Sequence, residues 1–540
     1  MTTKTTALVG TATALLLATA ACGSSGSGGT GADAAGSTQG NGKEAALTLI
    51  ANSLPSGLDA DSTVASDSGI QLTTSMSYMG MLYSYNGAKG ENPPKLRPDL
   101  AASAAEASAD GLTYTVKLRP GVKSAAGNPL TAEDVLWTMQ RIVAAKVNGS
   151  SLLGQINVDL TNPVTKVDDT TVAFHLTHPT SLFERIMSLP YLGILDSTEA
   201  KKHVTPADPH AREWFKTNTA SFGPYKVDSL NPKVEMVMSA NPNYWQGKPQ
   251  VTKATFRTVQ DASTALQTAI TGQSDYTLTT AASNLSTLRG SQTVNVNTIP
   301  TPTTVYMTLD NLNPALTDPR VRRAIALATD RKAIAETVYG GTAKPTTGCL
   351  PEVLTNVKTE YDNSPGPEVD KAKALLAEVP GDRTFVIGML PASFPESESM
   401  ARILQGNMNA IGLKTEIKAY TSIDAITEDR KTHRIGGLLL KQAPFVPDAG
   451  YFFKAFFRSN SIYNYSNYNN PTFDAATDAS MQQPAGVREA SITTACTESL
   501  KDGSADMLVS SGNLSITKKN IGNVLLYPDV APRLYNLTVG

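Results

Sequence analysis

Strand-like and helix-like segments alternate from Ala45 to near the end of this 540-residue chain, and this alternation restricts the fold more than any other feature. Apolar–polar alternation predicts strands at 45–53, 111–122, 170–176, 225–230, 233–240, 304–309, 383–390 and 413–420. Helical periodicity lies between these strands, and no internal repeat is visible. The pattern predicts an α/β or mixed α+β architecture rather than a helical bundle or a β-sandwich.

The predicted helices carry recognisable start and stop signals. Thr131 begins one helix, with acidic residues in its first turn that suit the helix dipole. Asp318-Pro319 begins a second helix, which we expect to continue to Gly340-Gly341. The basic run 320–324 in that helix contains apolar positions as well, so we interpret its arginines as a solvated face. Two further helices are predicted at 369–381 and 399–412.

The N-terminal residues are predicted to lie outside the fold. Residues 1–21 contain a lysine, an apolar run too short to cross a bilayer comfortably, and small residues that lead to Cys22, which together predict an export signal. The end of this segment resembles a bacterial lipobox, in which Cys22 becomes the lipidated first residue. Thr19 stands where an aliphatic residue is usual, so ordinary signal cleavage is the alternative. Residues 22–44, rich in Gly, Ser and Ala, predict a flexible tether.

Composition argues against some functions. A net charge of −2 argues against nucleic-acid binding, which usually needs a basic surface. No later segment has eighteen or more consecutive apolar residues, so no bilayer-spanning helix is predicted in the mature chain. Besides Cys22 the chain has two cysteines, Cys349 and Cys496. In an exported protein they predict a disulfide, with two buried free thiols as the alternative.

Motifs for catalysis are missing from the sequence. It has no G-x-x-x-x-G-K-[ST] phosphate loop, no G-x-S-x-G nucleophile turn and no H-E-x-x-H zinc motif. His175 and His178 are the closest pair of histidines, and on a strand they would point to opposite faces. We therefore predict neither an enzyme nor a metal or cofactor site.

Five segments occur in the order typical of one protein family. They are 97–142, 222–227 ("FGPYKV"), 241–249 ("NPNYWQGKP"), 316–345 and 408–417 ("MNAIGLKTEI"). Together they resemble the extracellular solute-binding proteins of the peptide/nickel/opine class, which are the lipoprotein or periplasmic receptors of ABC importers. The resemblance extends from about residue 45 to the end of the chain.

The resemblance implies an α/β, two-lobed periplasmic-binding-protein fold (type II-like) with an extra subdomain in the first lobe. The first lobe would comprise 45–302 and 505–540, with the subdomain at about 86–212, and the second lobe would comprise 303–504. The lobes would close around a ligand like a hinged clamp, and the closed form would deliver it to a membrane permease. A position between domains is also where small-molecule sites tend to lie.

The segment 436–453 departs from the pattern of the peptide-binding members. These carry an aspartate, four residues before a proline, that pairs with the α-amino group of the peptide. Counting back from Pro447 places Ala443 at that position, and Leu440 replaces the usual tryptophan. Because a carboxylate facing an ammonium group in a closed cleft is a strong contact, its loss predicts a different ligand or another amine anchor. The candidate ligand-binding residues here are Lys441, Gln442 and Asp448.

Tyrosines form a second set of candidates for ligand binding. Tyr463 and Tyr465 follow the variable segment among Asn and Ser residues, and a tyrosine offers an apolar face with a polar tip. Tyr83 and its neighbour Tyr85 are the candidates in the first lobe, where packing against the sheet is the alternative. Trp245 and the adjacent Tyr244 are predicted instead to fix their turn onto its lobe.

The predicted function is that of a membrane-anchored substrate-binding lipoprotein of an ABC importer, acting as a monomer outside the cytoplasm. Its ligand would be an oligopeptide or a peptide-like metabolite. A nickel chelate, an opine, an oligosaccharide and a basic amino-acid derivative are the alternatives. The rival from another class is a non-transport envelope protein of the same fold, and a secreted hydrolase is a weaker one. We expect no nucleic-acid partner and no cofactor.

Overall fold

The computed structural model describes residues 44–540 apart from 61–73, 87–94, 147, 279, 281, 300, 380, 382, 445, 483–487, 526 and 528–531. The predicted signal segment, Cys22 and the predicted tether up to residue 43 lie outside the described residues. The described residues belong to one unit, Gly40–Gly540. Among the helices of this described part, none is long and apolar enough to span a lipid bilayer.

Strands and helices follow one another along the described chain. The strands are β1 (Ala45–Ala51), β2 (Tyr83–Tyr85), β3 (Leu96–Pro98), β4 (Glu106–Ala107), β5 (Thr113–Lys117), β6 (Val164–Asp168), β7 (Thr171–His175), β8 (Tyr225–Asn231), β9 (Glu235–Ala240), β10 (Val251–Thr258), β11 (Tyr276–Thr277), β12 (Val294–Ile299), β13 (Thr304–Leu309), β14 (Lys344–Pro345), β15 (Thr384–Met389), β16 (Lys414–Ala419), β17 (Ile435–Gln442), β18 (Ala505–Ser510), β19 (Asn513–Lys518), β20 (Ile521–Gly522) and β21 (Thr538–Val539). The α-helices are α1 (Ala132–Ala145), α2 (Asn148–Gln155), α3 (Phe183–Ile186), α4 (Ser197–Ala200), α5 (Arg212–Phe215), α6 (Ala262–Ile270), α7 (Leu285–Leu288), α8 (Pro319–Ala328), α9 (Arg331–Ala333), α10 (Val369–Ala377), α11 (Ser397–Ala410), α12 (Ile423–Lys431), α13 (Ala449–Phe456), α14 (Pro471–Gln482) and α15 (Arg488–Asp502).

The first large sheet has the strand order β12-β19-β11-β1-β10-β9-β8. Within it β1 pairs in parallel with both β10 and β11, so Leu49 lies opposite Phe256 on one side and Tyr276 on the other. All three residues are at most 1% exposed, which places this strand in the core. β19 runs antiparallel to β11 and β12, so the chain returns to this sheet near its C-terminus.

A smaller sheet with the order β4-β5-β7-β6 packs with α1. Thr131 caps this helix as its sequence predicts, because its N–H donates to Asp134 Oδ2 (2.8 Å) in a reciprocal capping box. The other oxygen of Asp134 accepts from the N–H and the hydroxyl of Ser197 (2.8 and 2.7 Å). Val135 and Met139 face the apolar core beneath the helix.

The second large sheet has the order β14-β18-β13-β17-β15-β16, and both of its faces are covered. All residues of β13 are buried, and successive side chains point to opposite faces. Val305 and Met307 enter the core formed with α8 and α11. Tyr306 enters the opposite core with Phe452 of α13. β13 is therefore a strand that packs against apolar cores on both of its faces.

Cys349 and Cys496 are joined by a disulfide, with Cα atoms 5.2 Å apart. Both are at most 1% exposed and lie in the same apolar core as Tyr306. Since Cys349 follows β14 and Cys496 lies in α15, the bond links a loop to a helix 147 residues further along the chain.

The helix predicted from Asp318 to Gly340 is not continuous, so that prediction is wrong. α8 ends at Ala328, and Thr329 has an extended backbone (φ −72°, ψ 125°). The Thr329 hydroxyl donates to Asp506 Oδ2 (2.5 Å), a buried carboxylate on β18. The break between α8 and α9 therefore coincides with a tertiary hydrogen bond, which the local sequence pattern does not reveal.

The interpretation of 320–324 as a solvated face is wrong for Arg322. This residue is 5% exposed, and its guanidinium donates to the carbonyl oxygens of Leu316 (2.6 Å) and Asp502 (2.8 Å). Arg320 is exposed and pairs with Asp318, as a solvated arginine should. The buried arginine satisfies its donors with carbonyl groups that come from outside its own helix.

Candidate functional site

A cavity of ≈ 520 Å³ opens beside Asp448, and we refer to it as the Asp448 cavity. One wall contains Tyr85 and Arg185. The other walls come from segments within 352–357, 447–449 and 488–493. Residues from both the N-terminal and the C-terminal halves of the sequence therefore line one space, and its volume suits a small ligand.

Asp448 begins α13 and is the carboxylate at the base of this cavity. It is 3% exposed, and its Oδ1 accepts from the Tyr451 N–H (3.1 Å) as a helix cap. The same oxygen accepts from Arg488 Nη2 (2.7 Å), and Arg185 Nη1 lies 3.4 Å from Oδ2. Burial alone would raise the pKa of Asp448, yet the two arginines and these hydrogen bonds hold it below its ordinary value. Asp448 is therefore an ionised, fully engaged carboxylate.

Two arginines thus face one carboxylate in the Asp448 cavity. Arg488 is the first residue of α15 and is 5% exposed. Its buried Nε has no hydrogen-bond acceptor among the described residues. Arg185 is partly open to solvent, and its Nη1 also donates to the carbonyl oxygen of Pro447 (3.2 Å).

The two candidates on β17, Lys441 and Gln442, do not line this cavity. Lys441 Nζ lies 3.7 Å from Glu396 Oε1 and 5.7 Å from the ring centroid of Phe394. Gln442 Oε1 accepts a hydrogen bond from the Tyr306 hydroxyl. Their roles in ligand binding stay predictions.

The candidate tyrosines occupy different environments. Tyr463 is 48% exposed, and Tyr465 lies under the guanidinium of Arg430, 4.2 Å from its ring centroid. Tyr83 is fully buried in the core around α1, and burial raises the pKa of its hydroxyl. Tyr85 lines the Asp448 cavity, whereas Tyr83, Tyr463 and Tyr465 do not. Of the two first-lobe tyrosines, the structure therefore favours Tyr85 over Tyr83 as a residue that contacts a ligand.

Trp245 holds its turn against neighbouring segments. Its Nε1 donates to Asp99 Oδ1 (3.2 Å), and the Arg119 guanidinium lies 3.9 Å from its ring centroid. Tyr244 packs edge-on against Tyr535, with centroids 5.0 Å apart. These contacts agree with the structural role that the sequence predicts for the pair.

Sequence reasoning missed Arg185 and Arg488. Both lie in segments with ordinary helical composition, and neither belongs to a short motif. Only the fold brings them to Asp448, across 263 and 40 residues of sequence (448 − 185 and 488 − 448). No group of three or more possible metal ligands occurs among the described residues.

Comparison with solved structures shows to which fold class this architecture belongs. HbpA2 from Haemophilus parasuis superposes with a TM-score of 0.80 at 22% identity, covering 92% of this chain and 100% of that one. A nickel ABC transporter structure from Bacillus halodurans gives 0.76 at 20% identity, with 92% and 100% covered. The protein therefore has the α/β, two-lobed fold of the periplasmic binding proteins, as predicted.

Sequence comparison then identifies the family. The model for bacterial extracellular solute-binding proteins, family 5 (middle part), matches residues 95–464, and the chain belongs to this family. Di/tripeptide-binding protein 2 of Pseudomonas aeruginosa is 25% identical over 357 residues, 63% of this chain and 66% of that protein. The dipeptide-binding protein of Escherichia coli is 27% identical over 335 residues, 58% and 62% of the two chains. The aligned part spans less than two thirds of these relatives, which are named as binding proteins rather than enzymes.

Proposed function

We propose that this protein is the substrate-binding component of an ABC importer and captures peptides or peptide-like metabolites between its two lobes. The observation that carries the proposal is the Asp448 cavity, which combines buried charges with residues from both halves of a family 5 chain. Relatives named for di- and tripeptides or dipeptides support the peptide class.

We propose the same lobe boundaries that the sequence predicts, except for the C-terminal boundary of the second lobe. The predicted first lobe comprises 45–302 and 505–540, with the extra subdomain at about 86–212, and the predicted second lobe comprises 303–504. The two large sheets agree with most of this division, because strands of the first fall within 45–299 and 513–518. The C-terminal boundary differs, since β18 (Ala505–Ser510) pairs with β13 and β14 of the second sheet and so extends the second lobe to about residue 510. Closure of the lobes would enclose the ligand and present it to a membrane permease.

The proposal places the protein outside the cytoplasm as a monomer, held at the membrane by lipidated Cys22. A tether at 22–44 would keep the lobes free to meet the permease. The protein would act by binding alone, without catalysis.

A non-peptide ligand is the second candidate within this function. Ala443 stands at the position of the aspartate that the peptide-binding pattern uses for the α-amino group. Its absence favours a solute without a free amino terminus, such as a nickel chelate, an opine or an oligosaccharide, or a basic amino-acid derivative bound through other groups.

Native mass spectrometry of the purified protein, followed by thermal unfolding against peptides and metabolites, tests the proposal. A ligand that binds the folded state must raise the Tm by mass action, by an amount set by its concentration relative to Kd. We expect peptides of two to five residues to raise the Tm. If saturating peptides of every length give no shift while a non-peptide solute does, the peptide assignment is wrong.

A further inference from the structure

Arg488, which lines the Asp448 cavity, has an unused buried donor. Its side chain lines this space and is almost fully buried, but only Nη2 bonds to Asp448. The buried Nε has no acceptor among the described residues. Leaving a buried donor of a charged group without a partner is unfavourable, so such a donor indicates a missing acceptor.

The charges around this donor favour an anionic acceptor. Asp448 offers little further capacity, since both of its oxygens already contact arginines and one also caps α13. Two guanidinium groups therefore face one carboxylate. The first turns of α13 and α15 both begin at the cavity wall, and helix N-termini add positive potential there.

Arg185 adds donors on the other oxygen of Asp448. Its Nη1 makes the contacts to Pro447 and Asp448, and no other hydrogen bond of this guanidinium occurs among the described residues. A carboxylate placed between Arg185 and Arg488 could accept from both, because a guanidinium offers several N–H groups in one plane.

We propose that Arg185 and Arg488 form a subsite for a carboxylate group of the ligand. The inference rests on the proposed function and specifies how the captured solute is oriented. Exposed Glu352 and Glu489 also line the cavity and would repel a second anionic group. The subsite therefore suits a solute with one carboxylate end and a neutral or cationic remainder, such as a peptide.

Calorimetric titration of trialanine and of trialanine amide into the full-length protein tests this subsite. The two probes differ only in the terminal carboxylate. We expect trialanine to bind about tenfold tighter or more, the effect of a hydrogen bond to a charged group. Arg185→Gln keeps the Arg488–Asp448 pair and should reduce the preference to about twofold or less. Arg458→Gln removes an ion pair that does not line the cavity and should leave the preference unchanged.

Equal binding of the two probes, or a full preference in Arg185→Gln, overturns the subsite while the peptide function stands. If neither probe binds, binding of trialanine as a model peptide is contradicted, and thermal unfolding with propionate, which carries a single carboxylate, decides the subsite. A Tm rise over sodium chloride of equal ionic strength in the wild type, absent in Arg185→Gln, supports it. No rise overturns it.

Discussion

At the scale of single residues, Trp245 shows how an aromatic side chain in a turn serves the fold. It donates to Asp99, a carboxylate whose pKa is raised by burial, and it stacks with Arg119. The indole thus helps to stabilise a buried acid that also lies near the positive charges of Arg97, Arg119 and Arg533. In the sequence Trp245 lies between two turn-forming prolines, and this local pattern does not indicate the hydrogen bond to Asp99.

Trp245→Phe should lower the free energy of unfolding by about 1–3 kcal/mol, because it removes the N–H donor of a buried carboxylate. Chemical unfolding monitored by circular dichroism measures the change. Trp214→Phe is the matched control and should cost less, since the Trp214 ring stacks on His203 and packs edge-on against Phe215, and its indole N–H makes no hydrogen bond to the described residues. Ligand affinity should not change in Trp245→Phe, and a large loss of affinity at unchanged stability would refute the structural role.

The residue scale also shows what the sequence could and could not predict. Asp448 was a candidate because it lies in a segment that departs from a family pattern. Arg185 and Arg488 carry no such local signal, and their meeting depends on packing between distant segments. Tyr83 and Tyr85 lie two residues apart on one strand and both are buried, and only the packing around that strand determines that Tyr85 lines the cavity and Tyr83 does not.

At the scale of elements, most of the strands and helices that the sequence predicts are present in the structure, because their signals are local. The break at Thr329 and the burial of Arg322 depend instead on acceptors in distant elements, namely Asp506 and the carbonyl of Asp502. The disulfide depends partly on a sequence signal and partly on contacts between distant elements. The predicted export signal made a Cys349–Cys496 pair plausible, but only the fold brings the two residues together.

Replacing both cysteines, Cys349→Ala with Cys496→Ala, should lower the free energy of unfolding by about 2–5 kcal/mol. A cross-link between residues 147 apart restricts the unfolded chain strongly, and its removal restores that freedom. Chemical unfolding of the variant and the wild type measures the loss. Alkylation and mass measurement of the wild type provide the control and should find both thiols blocked before reduction. Equal stability of the two proteins would contradict the prediction.

At the scale of the whole molecule, contacts join the 106–192 region to the helices after β17. Ser181 donates through its N–H and its hydroxyl to the carbonyl oxygen of Met481 (2.7 and 2.9 Å). Val446 and Tyr451 enter the apolar core around α1. These pairs are up to 300 residues apart, so the sequence supports two lobes through resemblance but does not specify how their surfaces meet.

The Arg185–Asp448 contact belongs to this long-range set and should make stability depend on pH. The arginines hold the pKa of Asp448 below its ordinary value in the folded protein. A depressed carboxylate pKa contributes stability that is fully present above the unfolded-state pKa of about 3.9 and is lost as pH falls through the folded value.

Arg185→Gln should raise the folded pKa of Asp448 and so remove part of this contribution. We expect the variant to have a lower Tm than the wild type near pH 7, with the difference narrowing as the pH falls from about 4 towards the depressed pKa of Asp448 in the wild type. Calorimetry between about pH 3 and pH 7 measures it. Arg458→Gln removes a pair that is more open to solvent, at 24% and 38% exposure, and should show a smaller pH effect. A Tm difference that stays constant across the range would mean that Arg185 stabilises the molecule through Pro447 alone and not through the charge of Asp448.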